Sequence, residues 1–187
     1  MADDPHPPVD AELERLRVEN AALRAQVERL SALADQDVLT PTLNRRAFVR
    51  EIRRAISLCR RHGHAAAVLY LDLDGFKAVN DQFGHLAGDA ALTHVAALLG
   101  AHVRESDVVA RLGGDEFGVL LLEADVEAAR AKAEALRELL ASEPFSYEGQ
   151  AVALGGSFGV RAYAGQTSAE AWLAEADAAM FVRKRGR

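Results

Sequence analysis

Apolar positions change their period along the chain. Between Ala11 and Ala34 they recur at helical spacing as Leu13, Leu16, Leu23, Val27 and Leu30. With Leu16 at heptad position d, the d sites are Leu16, Leu23 and Leu30, and the a sites are Leu13, Asn20, Val27 and Ala34. The flanking g and e sites place Glu12 against Arg17 and Glu19 against Arg24 on a parallel partner, and an Asn at a can pair with its twin and fix register. The pattern predicts a parallel dimeric coiled coil over residues 9–36. A single amphipathic helix lying on the rest of the chain would carry the same stripe.

Beyond residue 36 helical and strand periods alternate. A helix with inner face Phe48, Ile52, Ile56 and Cys59 ends at Gly63. Ala65–Leu73 reads as a buried strand, followed by helices over 76–82 and 86–103. Strands at 108–112 and 117–122 flank a short loop, Gly113-Gly114-Asp115-Glu116, that reads as a hairpin. A helix over 126–140 follows. A second hairpin is expected around Glu148-Gly149, with strands at 145–147 and 151–160, and a last helix covers 168–184. This order predicts an α/β or α+β fold with a central mixed sheet flanked by helices.

Composition narrows the class. Three of the five prolines lie in residues 1–8, which read as a disordered lead. The net charge of -6 excludes a generally basic nucleic-acid coat, and an apolar content of 50% excludes wholesale disorder. The longest apolar run, Ala65 to Leu71, falls far short of the roughly 18 residues of a membrane span. One cysteine, Cys59, cannot form an internal disulfide, and it fits the helix stripe as a packing residue. These features suggest a cytoplasmic chain with neither a membrane nor a nucleic-acid partner.

Candidate chemistry begins where the strand at 65–73 runs into acids. Asp72 and Asp74 stand two residues apart, hence on one face if the strand continues. An ionised Asp leaving water needs a cation or strong hydrogen bonds. Asp74 could simply cap the helix that starts near Phe76; Asp72 precedes the turn and reads as a metal ligand beside the Leu73 carbonyl. Oxygen ligands suit Mg²⁺, and no Cys/His cluster suggests zinc. Gly75, a helix N-terminus and Lys77 would together suit a phosphate, although Lys77 could equally be a solvated surface charge. The loop Gly113–Glu116 adds two acids that packing does not require. If that loop lies beside Asp72, three carboxylates and the Leu73 carbonyl converge on a phosphoryl-transfer site.

Separated motifs now occur in order: Asp37-Val38-Leu39-Thr40 with Asn44-Arg45-Arg46, Leu71 to Asp89, Arg111 to Phe117 and Ala176 to Phe181. In this order they resemble the GGDEF diguanylate cyclase family over about residues 37–187. The resemblance implies a core similar to nucleotidyl cyclases and polymerase palms. It implies condensation of two GTP into cyclic di-GMP with release of two pyrophosphates. The implied metal set is Asp72, the Leu73 carbonyl, Asp115 and Glu116 around Mg²⁺, with Mn²⁺ as a second candidate. Asp115 would also be the base, Glu116 would assist the metal, and Lys77 would stabilise charge on the phosphates. Phe76, Asn80, His85 and Asp89 would line the substrate site, with Asn80 and Asp89 reading guanine.

A carboxylate such as Asp89 can accept from both N1–H and the 2-amino group of guanine, a donor pair adenine lacks. Asn80 could instead be a helix-end residue, Asp89 a helix cap, and His85 a packed loop histidine. Arg104 and Asp107 match the family's RxxD inhibitory site, at which product binds, although an Arg and an Asp three apart are common on surfaces. The position of the arginine that some members add from the following helix is taken by Ala135. Pro41 replaces the usual glycine. The C-terminal Arg183-Lys184-Arg185-Gly186-Arg187 is one residue shorter than the family's spacing, so Arg183 or Lys184 can act as the phosphate-binding lysine, with Arg187 as its arginine partner. Because the product is two-fold symmetric, the reaction needs two domains face to face, and the coiled coil would supply that homodimer. Two alternatives remain: a catalytically weak GGDEF domain that signals by binding nucleotide or cyclic di-GMP, and a coiled-coil assembly adaptor.

Overall fold

The computed structural model describes residues 9–185, in two compact units that divide between Asp35 and Gln36. The lead at 1–8 and the terminal Gly186 and Arg187 lie outside the described residues. The first unit is one helix, α1 (Val9–Asp35). Its apolar residues Leu13, Leu16, Leu23 and Val27 stay 46, 49, 55 and 62% exposed. The side chain of Leu30 is outside the described set.

The second unit contains β1 (Leu43–Asn44), α2 (Arg45–His62), β2 (Ala66–Asp74), α3 (Phe76–Phe83), α4 (His85–Ala101), β3 (Val108–Gly113), β4 (Glu116–Leu122) and α5 (Val126–Ser142). It closes with β5 (Phe145–Tyr147), β6 (Gln150–Val152), β7 (Gly155–Ala162) and α6 (Ala169–Arg185). The main sheet has the order β1-β3-β4-β2-β7, and only β1–β3 is parallel. The expected mixed sheet flanked by helices is therefore present.

Alternation along β2 builds two cores. Val68 and Tyr70 face the layer containing Phe48, Ile52 and Trp172 from α2 and α6. Leu69, Leu71 and Leu73 face the opposite layer, with Val95, Leu99 and Leu136 from α4 and α5. Cys59 is buried in the first core, and burial, with a smaller push from Glu123, raises its thiol pKa, which favours the inert, protonated form. Helix ends are locally specified: the Asn44 side chain caps α2 by accepting from the Ala47 amide at 3.0 Å, and Gly63 closes it at φ 70°.

One expected element is corrected. The strand predicted at 151–160 is two strands on different sheets. β6 pairs only with β5, whereas β7 joins the edge of the main sheet beside β2. Glycines of β7 sit against groups far away in sequence: a Cβ on Gly156 would overlap Leu71 and crowd Leu140, and one on Gly159 would overlap the α6 backbone at Ala176 and Met180. Glycine is what lets β7 lie so close to both layers.

Candidate active site

Strand alternation carries the acids to one place. On the face of β2 that presents Val68 and Tyr70 to α2 and α6, the next positions are Asp72 and Asp74. Asp72 stands opposite Glu116 on β4 and Ser157 on β7, and both aspartates are only half-buried. Like charges directly opposite each other repel across strands, so this pair calls for a cation. The Lys184 ammonium, from the last turn of α6, bonds the Asp72 carboxylate. That hydrogen bond chiefly, and the nearby charges of Asp72, Asp74 and Asp115, raise the Lys184 pKa against the opposing effect of burial. The four groups therefore share one electrostatic neighbourhood, and of Arg183 and Lys184 it is Lys184 that reaches the acids.

Asp74 does not cap α3. Gly75 occupies the cap position at φ 76° with no side-chain hydrogen bond, while Asp74 accepts from the Ser157 hydroxyl at 2.9 Å. The hairpin between β3 and β4 turns through Gly113 and Gly114, with φ of 150° and 50°. The Leu73 amide donates to the Asp115 carbonyl at 3.2 Å, which fixes this turn to the end of β2. The Arg111 guanidinium donates to the Gly114 carbonyl at 3.0 and 2.8 Å and reaches Asp37 at 3.3 Å.

Asp37 is the hub of the loop before β1. One of its oxygens also accepts from the Leu39 amide, the Thr40 amide and the Thr40 hydroxyl at 3.2, 2.9 and 2.9 Å. Burial pushes the Asp37 pKa up, but the Thr40 and Leu39 donors and the Arg111 charge together outweigh it and leave it lowered. Tyr70 is 4% exposed; burial, and then its hydrogen bond to the Glu116 carboxylate, raise its phenol pKa strongly.

The proposed base-reading residues lie on the α3–α4 pair. A Cβ on Gly88 would overlap the Asn80 amide and press on the Phe76 ring, so this glycine lets Phe76 and Asn80 sit over α4. Asn80 is near the end of α3, where its carbonyl accepts from the Gly84 amide at 2.9 Å. His85 opens α4 and is exposed; Asp89 lies inside α4, one turn on, so it is not a cap. Lys77 is exposed in the first turn of α3.

At the RxxD motif, Asp107 accepts from the amides of Arg104 and Leu122 at 3.0 and 3.1 Å, one on each oxygen. Asp107 thus staples its loop to the end of β4 and presents Arg104 to solvent.

Among the described residues, no group of three or more His, Cys, Asp or Glu side chains is drawn close enough to hold a metal by itself. The donors at the strand end are nonetheless all oxygens, and a lysine cation already sits on Asp72. That set fits Mg²⁺, which binds through one or two carboxylates and completes its shell with water and substrate phosphates. Sequence reasoning gave no role to Tyr70, Arg111, Asp37 or Ser157. Tyr70 could have been found two positions before Asp72 on the same face. Nothing near Ser157 in sequence signals its partner 83 residues away.

The chain matches the family described as "Diguanylate cyclase, GGDEF domain" over residues 34–187. It is 38% identical to the probable diguanylate cyclase DgcE of Escherichia coli K12, covering 87% of this chain and 15% of that protein. It is 37% identical to the diguanylate cyclase DgcP of Pseudomonas aeruginosa, covering 88% of this chain and 24% of DgcP. The chain therefore spans less than a quarter of the length of these curated relatives. The crystal structure of a sensory box/GGDEF family protein from Caulobacter crescentus CB15 is similar at TM-score 0.77 and 41% identity, covering 82% of this chain and 99% of that one. A structure of the coiled coil and GGDEF domain of DgcB from Caulobacter crescentus, in complex with c-di-GMP, is similar at TM-score 0.81 and 28% identity, with 95% of each chain covered. The protein belongs to the GGDEF family. Among the described residues, no helix is long and apolar enough to cross a membrane.

Proposed function

We propose that this chain is a diguanylate cyclase that joins two GTP into cyclic di-GMP. The observation that carries the proposal is the strand-end site: Asp72 faces Glu116 across β2 and β4, a lysine from α6 sits on Asp72, and the Gly-Gly-Asp-Glu turn is bolted to Leu73. In each half-reaction the 3′-oxygen of one GTP bonds to the α-phosphorus of the other, the bond to pyrophosphate breaks, and the hydroxyl proton leaves. Asp115 accepts that proton. Lys77 and Lys184 hold the triphosphate, with Lys184 exchanging Asp72 for phosphate oxygens, and Arg187, outside the described residues, would serve as the arginine partner that the family resemblance implies. Asp72, the Leu73 carbonyl, Asp115 and Glu116 would hold Mg²⁺, or Mn²⁺, which when bound neutralises phosphate charge. Phe76, Asn80, His85 and Asp89 orient guanine.

Two such sites must meet. A parallel pairing of α1 through Leu16, Leu23 and Leu30 would hold two units at high effective concentration as a homodimer. The similarity to a coiled-coil GGDEF structure over 95% of this chain supports that role. Arg104, on the loop that Asp107 fixes, would bind product and restrain turnover. The use of GTP places the enzyme in the cytoplasm. Incubating the protein with GTP and Mg²⁺ and resolving products by chromatography tests the assignment, with Asp115→Ala as a silent control. Bound but unconverted GTP would favour a signalling module without turnover, and the absence of both binding and product would overturn the nucleotide reading.

A further inference from the structure

Two aspartates of equal chemistry end β2 on one face, and their neighbours set them apart. β7 runs beside them, with Asp72 opposite Ser157 and Asp74 opposite Gly155. Opposite residues share a face of the sheet, so Ser157 stands beside Asp72 and diagonal to Asp74. Its hydroxyl nevertheless donates along the diagonal, to one oxygen of Asp74 at 2.9 Å. Asp72, directly opposite, holds the Lys184 ammonium instead. Asp74 leans over β7 accordingly: a Cβ on Gly155 would stand 3.5 Å from the Asp74 Cβ and 3.6 Å from one of its oxygens.

Ser157 is 4% exposed, and a hydroxyl so buried must find an acceptor. Packing does not ask for a hydroxyl here, since Gly155, Gly156 and Gly159 around it carry no side chain at all. A hydroxyl has one proton to donate, so it can hold one of the two carboxylates and not both.

The choice matters because Asp74 has two other places to go. A carboxylate just before a helix ordinarily caps its first turn. In α3 the cap position belongs to Gly75, with no side-chain bond, and Lys77 lies in the turn that follows. Asp74 is also near enough to Lys184 for its charge to be felt there, so a loose Asp74 would compete with Asp72 for the same cation.

We propose that Ser157 is a positioning residue of the site: by fastening Asp74 over β7 it keeps that carboxylate off the first turn of α3 and off Lys184, and leaves both to a nucleotide triphosphate. The role rests on the cyclase reading, in which Lys77 and Lys184 hold the triphosphate and Asp72 holds the metal. A loose second aspartate would place negative charge where phosphates must sit, and so repel the nucleotide. It would offer a bare metal ion one more oxygen, and so would not weaken that ion.

Equilibrium binding to the full chain tests this without turnover. One probe is GTP with a methylene in place of the oxygen between the α and β phosphorus atoms, followed by calorimetry in Mg²⁺. The other is Mn²⁺ alone, followed by electron paramagnetic resonance. Ser157→Ala should weaken the analogue about 10-fold, while Mn²⁺ alone binds at least as tightly as to wild type. Adding Asp74→Asn to that variant should bring analogue binding back to within about 3-fold of wild type, because no charge is left to restrain. Unchanged analogue binding in Ser157→Ala, or no recovery in the double variant, would overturn the proposal. So would a parallel loss of analogue and Mn²⁺, which is what a purely structural role gives. If Ser157→Ala does not fold, Asp74→Asn alone carries the test. It should bind the analogue at least as well as wild type, and a loss of about 10-fold or more would mean that Asp74 serves the nucleotide directly, which also overturns the role. Wild-type protein that binds neither probe would bring down the cyclase reading and this role with it, whereas wild-type binding unchanged in Ser157→Ala brings down the role alone.

Discussion

Leucines in the two units of this chain meet different surroundings. In α1, Leu13, Leu16 and Leu23 remain about half exposed, and the ion pairs beside them, Glu12–Arg15 and Glu14–Arg17, are local pairs three residues apart. In the second unit, Leu69, Leu71 and Leu73 are buried, and polar links join elements far apart in sequence: Lys184 with Asp72, Arg111 with Asp37, Ser157 with Asp74. The second unit buries most of its large apolar side chains against itself and pairs Asp72, Asp74 and Lys184 of its site. The helix has an apolar stripe that only another surface can bury. A long helix with this stripe gains its stability from partner packing rather than from propensity. One unit is therefore expected to be sensitive to chain concentration, and the other to single side chains.

The largest effect expected from a single side chain is at the hairpin. Asp115→Ala should lower cyclic di-GMP formation by about 10³-fold or more at every protein concentration, while circular dichroism stays unchanged. Appreciable residual turnover would remove this carboxylate from the chemistry. In the packing of the same unit, Gly159→Ala should cost about 2–3 kcal/mol of unfolding free energy, because the new methyl overlaps the α6 backbone at Ala176 and Met180. A melting temperature equal to wild type would mean that α6 can move away at little cost.

The helix should respond differently. Changing Leu16, Leu23 and Leu30 together to Ser should reduce specific activity about 10- to 100-fold in dilute solution, with recovery as the protein is concentrated. A uniform loss at all concentrations, or none, would break the contrast between the units.

Smaller effects sharpen the picture of the second unit. Asp89→Asn should narrow the preference for GTP over ATP by about 10-fold, read as a ratio of kcat/KM values. Asp37→Asn should cost about 1 kcal/mol at neutral pH. The Asp37 pKa is lowered on folding, so its contribution is complete above the ordinary value of 3.8 and is lost as pH falls through the lower folded-state value. Urea unfolding at stepwise pH should therefore show the variant and the wild type converging in acid. A constant gap would mean that Asp37 acts through shape and not through charge.

Much of the strand-end site was legible in advance. Apolar alternation in β2 marked a buried strand, the acids at its end asked for a cation, and paired glycines marked the hairpin. Other features had no local signal. Asp74 looked like a cap because a carboxylate just before a helix often is one, but a serine on β7 took it and Gly75 took the cap. For Asp89 a cap was only the alternative to base reading, and it fails because Asp89 lies inside α4, which starts at His85. The strand at 151–160 looked continuous, because nothing in its composition says that Val152 and Gly155 belong to different sheets.

The chain by itself determined its periods, its turns and its inventory of charged groups, since each of these is written within a few neighbouring residues. Only the tertiary structure decided which distant strands lie side by side and which acid faces which lysine. Those outcomes depend on cross-strand register and on close backbone approach at Gly156 and Gly159, which arise from packing between residues far apart in the chain.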